Sequence, residues 1–195
     1  MVCMTVQTFT LATLTCLLLT GTVPAATVFT GQGSFLSMLA PGYYLETFQN
    51  TNPPTYLFGG FGYTATVSGG TIYDSGSFIG NFNQAQSFTL TFTTGNVTAV
   101  GGNFYLADIN DVFQSEPLTI TLSDGTTDTF TPATVDGFRG YATNGTLITS
   151  LTMSVSPGGR FNTLDNLIVG AAIPEPAGTG LLLGSLAFGL RRRRA

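Results

Sequence analysis

The segment Ser87-Phe88-Thr89-Leu90-Thr91-Phe92-Thr93 alternates an apolar side chain with a hydroxyl at every step. A two-residue period puts Phe88, Leu90 and Phe92 on one face of an extended strand and the threonines on the other. The pattern returns at Gly62 to Val67, with Tyr63, Ala65 and Val67 in phase, and at Leu118, Ile120 and Leu122. It returns again where Leu147, Thr149, Leu151, Met153 and Val155 alternate with Ile148, Ser150, Thr152 and Ser154. No stretch between Thr27 and Ile173 sustains a 3.6-residue apolar stripe, so helices are excluded as the main element of this body.

Turn signals divide these runs. Asp124-Gly125 stands between Leu118–Leu122 and Thr126–Phe130 and predicts a hairpin, and Gly-Gly pairs at 59, 69, 101 and 158 punctuate the rest. Roughly nine candidate strands with short spacings predict an all-β antiparallel β-sandwich, jelly-roll-like. A signal helix is expected before it and a transmembrane helix after it. No internal repeat supports a solenoid.

The alternation is solvated by Thr, Ser, Asn and Gly rather than by charge, since only 8% of the 195 residues are charged. There is no His, which excludes Ser-His-Asp and Cys-His catalysis and His-ligated zinc. Between Thr27 and Ile173 two arginines face nine acids, a net −7, while Glu175 and four arginines make the tail +3, giving the chain its −4. A body this acidic repels phosphate backbones, so nucleic acid is excluded as a partner.

Residues 1–26 carry no charged side chain. The apolar run Phe9 to Leu19 and the small residues of Val23-Pro24-Ala25-Ala26 predict a secretory signal peptide cleaved near Ala25 or Ala26. Cys3 and Cys16 both fall within it, so the mature chain would carry neither disulfide nor thiol chemistry.

Residues 173–195 read Pro174-Glu175-Pro176, then the apolar Ala177 to Leu190, then Arg191, Arg192, Arg193 and Arg194. An apolar helix followed by a cationic cluster is a stop-transfer arrangement that leaves the arginines on the cytoplasmic side. The apolar stretch is 14 residues against the roughly 20 of a full span, and arginine snorkelling or local thinning would cover the difference. The order of the three parts resembles the PEP-CTERM sorting signal of bacterial surface proteins. That resemblance implies cleavage by an exosortase near Pro174, Glu175 and Pro176, and a transient hold in the inner membrane. It further implies delivery to the cell surface or extracellular matrix beside exopolysaccharide or biofilm. The run from Gly137 to Gly170, with Phe138-Arg139-Gly140 and Leu164-Asp165-Asn166-Leu167, is similar to the end of many ectodomains of that family. The expected organisation is therefore signal peptide 1–26, ectodomain 27–172 and sorting signal 173–195.

Candidate chemistry is sparse. Asp108, Asn110 and Asp111 offer oxygen ligands after the strand near Phe104–Leu106 and form a candidate Ca²⁺ site, with turn formation as the competing use of the same residues. Asp165-Asn166 could cap a turn or join a Ca²⁺ site, and the turn is the favoured reading. Asn96-Val97-Thr98 and Asn144-Gly145-Thr146 read as hairpin ends. No catalytic residue is identified and no cofactor is required. The expected function is a non-enzymatic exported surface protein. The alternatives are a carbohydrate-binding module using Tyr43, Tyr44, Tyr56, Tyr63, Tyr73, Tyr105 or Tyr141, and a secreted glycoside hydrolase working through paired carboxylates.

Overall fold

The computed structural model describes residues 25–49, 55–58, 61–84, 86–155 and 159–174. Most of the signal segment, the apolar tail, Glu175, Pro176 and Arg191 to Arg194 lie outside the described residues. Among the described residues no helix is long and apolar enough to cross a membrane.

The chain is mostly strand, arranged as two antiparallel sheets. With strands numbered in chain order, one sheet runs β1 (Thr27–Phe29), β12 (Phe138–Ala142), β8 (Ala99–Ala107), β14 (Phe161–Gly170), β6 (Ile79–Asn81) and β5 (Ile72–Asp74). In the same sheet β2 (Tyr44–Glu46) pairs with β14 and β9 (Phe113–Gln114) with β8. The other sheet runs β11 (Thr127–Phe130), β10 (Leu118–Leu122), β13 (Ser150–Val155), β7 (Phe88–Phe92), β4 (Phe61–Val67) and β3 (Thr55–Phe58).

Alternation produces the core directly. Phe88, Leu90 and Phe92 of β7 join Ile120 of β10 and Leu151 and Met153 of β13 in one buried cluster. The opposite sheet contributes Val100, Phe104 and Leu106 of β8 and Leu164, Leu167 and Val169 of β14 to that cluster. On the outer face of the six-stranded sheet the hydroxyls pair across strands, Thr89 with Thr152 at 3.0 Å and Thr119 with Thr129 at 2.8 Å. Such cross-strand threonine pairs stabilise a sheet without charge. The Asp124-Gly125 hairpin joins β10 to β11 as expected, with Gly125 at φ +91° and Asp124 Oδ1 accepting the Thr126 N–H at 2.8 Å.

Three expectations change. Among the described residues fourteen strands form rather than roughly nine, because β1, β2, β5, β6 and β9 are two or three residues long, too short to display a period. The alternation from Leu147 to Val155 also breaks phase: Leu147 is exposed and Ile148 buried, whereas Leu151 and Met153 keep the expected face. The cause is the loop before β13, where the Ile148 N–H donates to Val97 O at 2.8 Å and draws its side chain into the end of the core. Third, Asp165-Asn166 is not a turn between elements but a β-bulge inside β14, with Asn166 at φ +50° and its N–H donating to Asp165 Oδ1 at 2.6 Å. The bulge lets β14 pair with β6 on one side of it and β2 on the other.

Burial holds the Asp165 carboxyl above its ordinary range, with Asp136 adding to the rise and the Asn166 N–H opposing it. A carboxyl with a raised folded pKa favours the fold while protonated, and that contribution fades as pH rises through the raised value. Asp165→Asn should therefore flatten the fall in stability across the acid range, measured as denaturation midpoints at several pH values. An unchanged pH profile would rule this out.

One short helix, α1 (Gln32–Leu36), lies over the outer face of the eight-stranded sheet. Five residues cannot hold a helix in water on propensity alone. It is fixed by Phe35, fully buried among Phe138, Leu39, Ala99, Ala142 and Ile168, with ring centroids 5.5 Å from Phe138 and 5.7 Å from Phe29.

Candidate functional site

Cross-strand register places four residues in one row on the outer face of the eight-stranded sheet. Tyr105 of β8 pairs with Thr163 of β14, Thr163 with Gly80 of β6, and Gly80 with Tyr73 of β5. Directly paired residues project to the same face, so two tyrosines flank a trough floored by a small side chain and a glycine. Gly80 has no room for more, since a Cβ there would collide with the Asn162 backbone carbonyl oxygen. Phe78 and Phe82, two residues either side of Gly80, share its face. The rings then form a chain: Phe82 to Tyr73 at 6.5 Å, Tyr73 to Phe78 at 5.9 Å, Phe78 to Tyr105 at 6.3 Å and Tyr105 to Phe113 at 6.2 Å.

The trough opens into a cleft of about 540 Å³. Its far wall is the loop between β8 and β9, which presents Asp108, Ile109 and Asp111, and its rim carries Asn83 and Gln84 after β6. Phe82 is 59% exposed and Ile109 76% exposed, the two most exposed large apolar side chains among the described residues.

The loop explains where the expected Ca²⁺ ligands go. Asp108 Oδ1 accepts the N–H groups of Asn110 at 2.8 Å and Val112 at 3.0 Å, and its Oδ2 accepts from Gln114 Nε2 at 3.3 Å. Asp111 stands in the left-handed region at φ +58° and its Oδ2 accepts the Tyr73 hydroxyl at 2.8 Å. The three residues are thus brought into one loop, but the Asp108 carboxylate is occupied by the turn it builds, and a cation would have to displace those donors. Among the described residues no group of three or more Asp, Glu, Cys or His is arranged to hold a metal.

Of the tyrosines expected to offer sugar platforms, Tyr63 and Tyr141 are wholly buried in the core and Tyr105 is nearly so. Burial pushes the Tyr105 hydroxyl well above its ordinary range, and Asp165, Asp111 and Asp136 push it further. Tyr44 donates to Glu46 Oε2 at 2.8 Å and Tyr43 is exposed outside the cleft. Among the described side chains, Tyr73 alone of them lines the cleft. Phe82 and Ile109 escape sequence reading, because single exposed apolar residues in turns carry no periodic signal. No family model and no curated protein matches the chain.

Proposed function

We propose that the chain is an exported, non-enzymatic surface or extracellular-matrix protein, sorted through a tail of the PEP-CTERM kind and cut by an exosortase near Pro174, Glu175 and Pro176. What carries the reading is the fit of the hydrogen-bonded body between the two addresses. At one end β1 starts at Thr27, directly after the small residues suited to signal cleavage. At the other, Ala40 N–H donates to Ala171 O and Ile173 N–H to Met38 O, both at 2.8 Å, and Leu39 bridges Ala172. Pro174 follows, exposed. A sorting enzyme needs such a border, where its target peptide can be reached without opening the fold.

The start of the body also favours one signal-cleavage bond. The Ala26 N–H donates to Thr126 Oγ1 at 2.8 Å, and that hydroxyl donates to Asp124 Oδ2 at 3.0 Å. Cleavage between Ala25 and Ala26 would turn this N–H into an ammonium already facing a hydroxyl oxygen with a carboxylate behind it. The repeated passage of the chain from one sheet to the other, as at β6 to β7, β7 to β8 and β13 to β14, supports the jelly-roll-like description. A glycosidase is the weaker reading, since Asp108 is committed to its own loop and Asp111 to Tyr73, where a general acid needs a carboxyl free to give up its proton.

Fractionation of tagged chains in a bacterium that makes the protein tests the sorting. The natural chain should shorten and leave the membrane fraction, whereas a variant lacking Pro174-Glu175-Pro176 should stay full length and membrane-bound. Equal size and equal membrane retention of the two would overturn the proposal.

A further inference from the structure

We infer that the cleft between β5, β6 and the β8–β9 loop is a binding site for a neutral glycan chain, a ligand class that deepens the export reading above. Three observations converge. The first is the aromatic row, whose outer members Tyr73 and Phe82 offer ring surface toward the opening, continued by Ile109 on the other wall. Pyranose rings carry apolar C–H faces that stack on such platforms, and aromatic side chains lose little rotamer freedom in doing so.

The second is the polar complement. Asn83 and Gln84 are exposed at the rim and present amides that both donate and accept. Tyr73 spends its proton on Asp111, so its oxygen remains an acceptor, and Asp111 is itself exposed beside it. Mixed donors and acceptors beside apolar faces suit a polyhydroxylated ligand better than a purely apolar one.

The third is charge. Among the described residues the cleft lining contains no cationic side chain. The two arginines of the described body are engaged elsewhere, Arg139 with Asp128 and Arg160 with Glu116. With two carboxylates in the lining and a −7 body, a polyanionic glycan would be repelled.

Calorimetric titration of the purified full chain with cellohexaose, laminarihexaose and mannohexaose, alongside hexagalacturonate and hexalysine, tests the site. At least one neutral hexasaccharide should bind, Tyr73→Ala and Phe82→Ala should each weaken it about tenfold or more, and Tyr73→Phe should retain most of it. Tyr43→Ala, exposed outside the cleft, should change nothing. Phe82 is mostly exposed, so its variant should keep the native dichroism spectrum and report on the cleft alone. Absence of binding by all three neutral sugars to about 10 mM, preference for hexagalacturonate or hexalysine, or binding indifferent to Tyr73→Ala and Phe82→Ala would overturn the assignment. The titration does not depend on sorting, so a failed cleft with normal release leaves the export reading intact, and the converse result leaves the cleft.

Discussion

Phe35→Ala should cost the fold about 3–5 kcal/mol, the range for removing a buried phenylalanine. The site is severe for its surroundings. Phe35 is fully buried and is the one buried residue of α1, so the helix has little left to hold it when the ring is gone. The sheet beneath has been thinned to receive it: a Cβ on Gly140 would lie 2.5 Å from Phe35 Cδ2, and one on Gly101 2.9 Å from Phe35 Cε1. This reciprocity gives the prediction a second half. Gly140→Ala alone should destabilise by about 1–3 kcal/mol through overpacking, yet cost much less in the Phe35→Ala background, where the methyl enters the vacated space. Urea denaturation of the two single variants and the double variant measures the coupling, and additive losses would contradict the contact.

Asp128→Ala should lose about 2–3 kcal/mol, a large effect for a side chain only partly buried. Asp128 stands on β11, the edge of one sheet, and reaches two residues on β12 of the other. Its Oδ2 accepts the hydroxyl of the fully buried Tyr141 at 3.1 Å and lies 3.5 Å from Arg139 Nε. The Arg139 guanidinium in turn lies 4.2 Å over the ring of Phe130, back on β11. Removing the carboxylate leaves a buried hydroxyl without its acceptor and an arginine without its counterion, and the cost of stranding those groups exceeds the worth of the ion pair itself. Asp128→Asn keeps an acceptor and should lose clearly less. Equal losses for the alanine and asparagine variants would show that the hydrogen bond to Tyr141 contributes nothing.

These two sites differ in how far the sequence announces them. Period-two alternation reveals β4, β7, β10 and the core half of β13 because each is long enough to show a face, and Asp124-Gly125 reveals its hairpin through backbone chemistry alone. Phe138-Arg139-Gly140 stands out as a pattern, but its physical meaning requires the second sheet: Phe138 and Gly140 serve α1 and Arg139 serves the clasp. α1 has no stripe to read, being held by one ring.

The cleft is the least legible feature. It is assembled from residues near 73–84, 108–111 and 161–163, which only strand pairing brings together. A tyrosine of the core and a tyrosine of the surface look alike in sequence, so alternation alone does not separate Tyr63 and Tyr141 from Tyr73 as platforms. Asp108 carries the same ambiguity between ligand and turn former, and its geometry is that of the turn.

The intact mass of the protein recovered from the surface and medium of a bacterium that makes it reads both cleavages at once. Cleavage at both addresses yields a species beginning at Ala26 and ending near Pro174, Glu175 and Pro176, without the apolar segment and the four arginines. A species at the surface that still carries Ala177 to Arg194, or that begins at Met1, would contradict it.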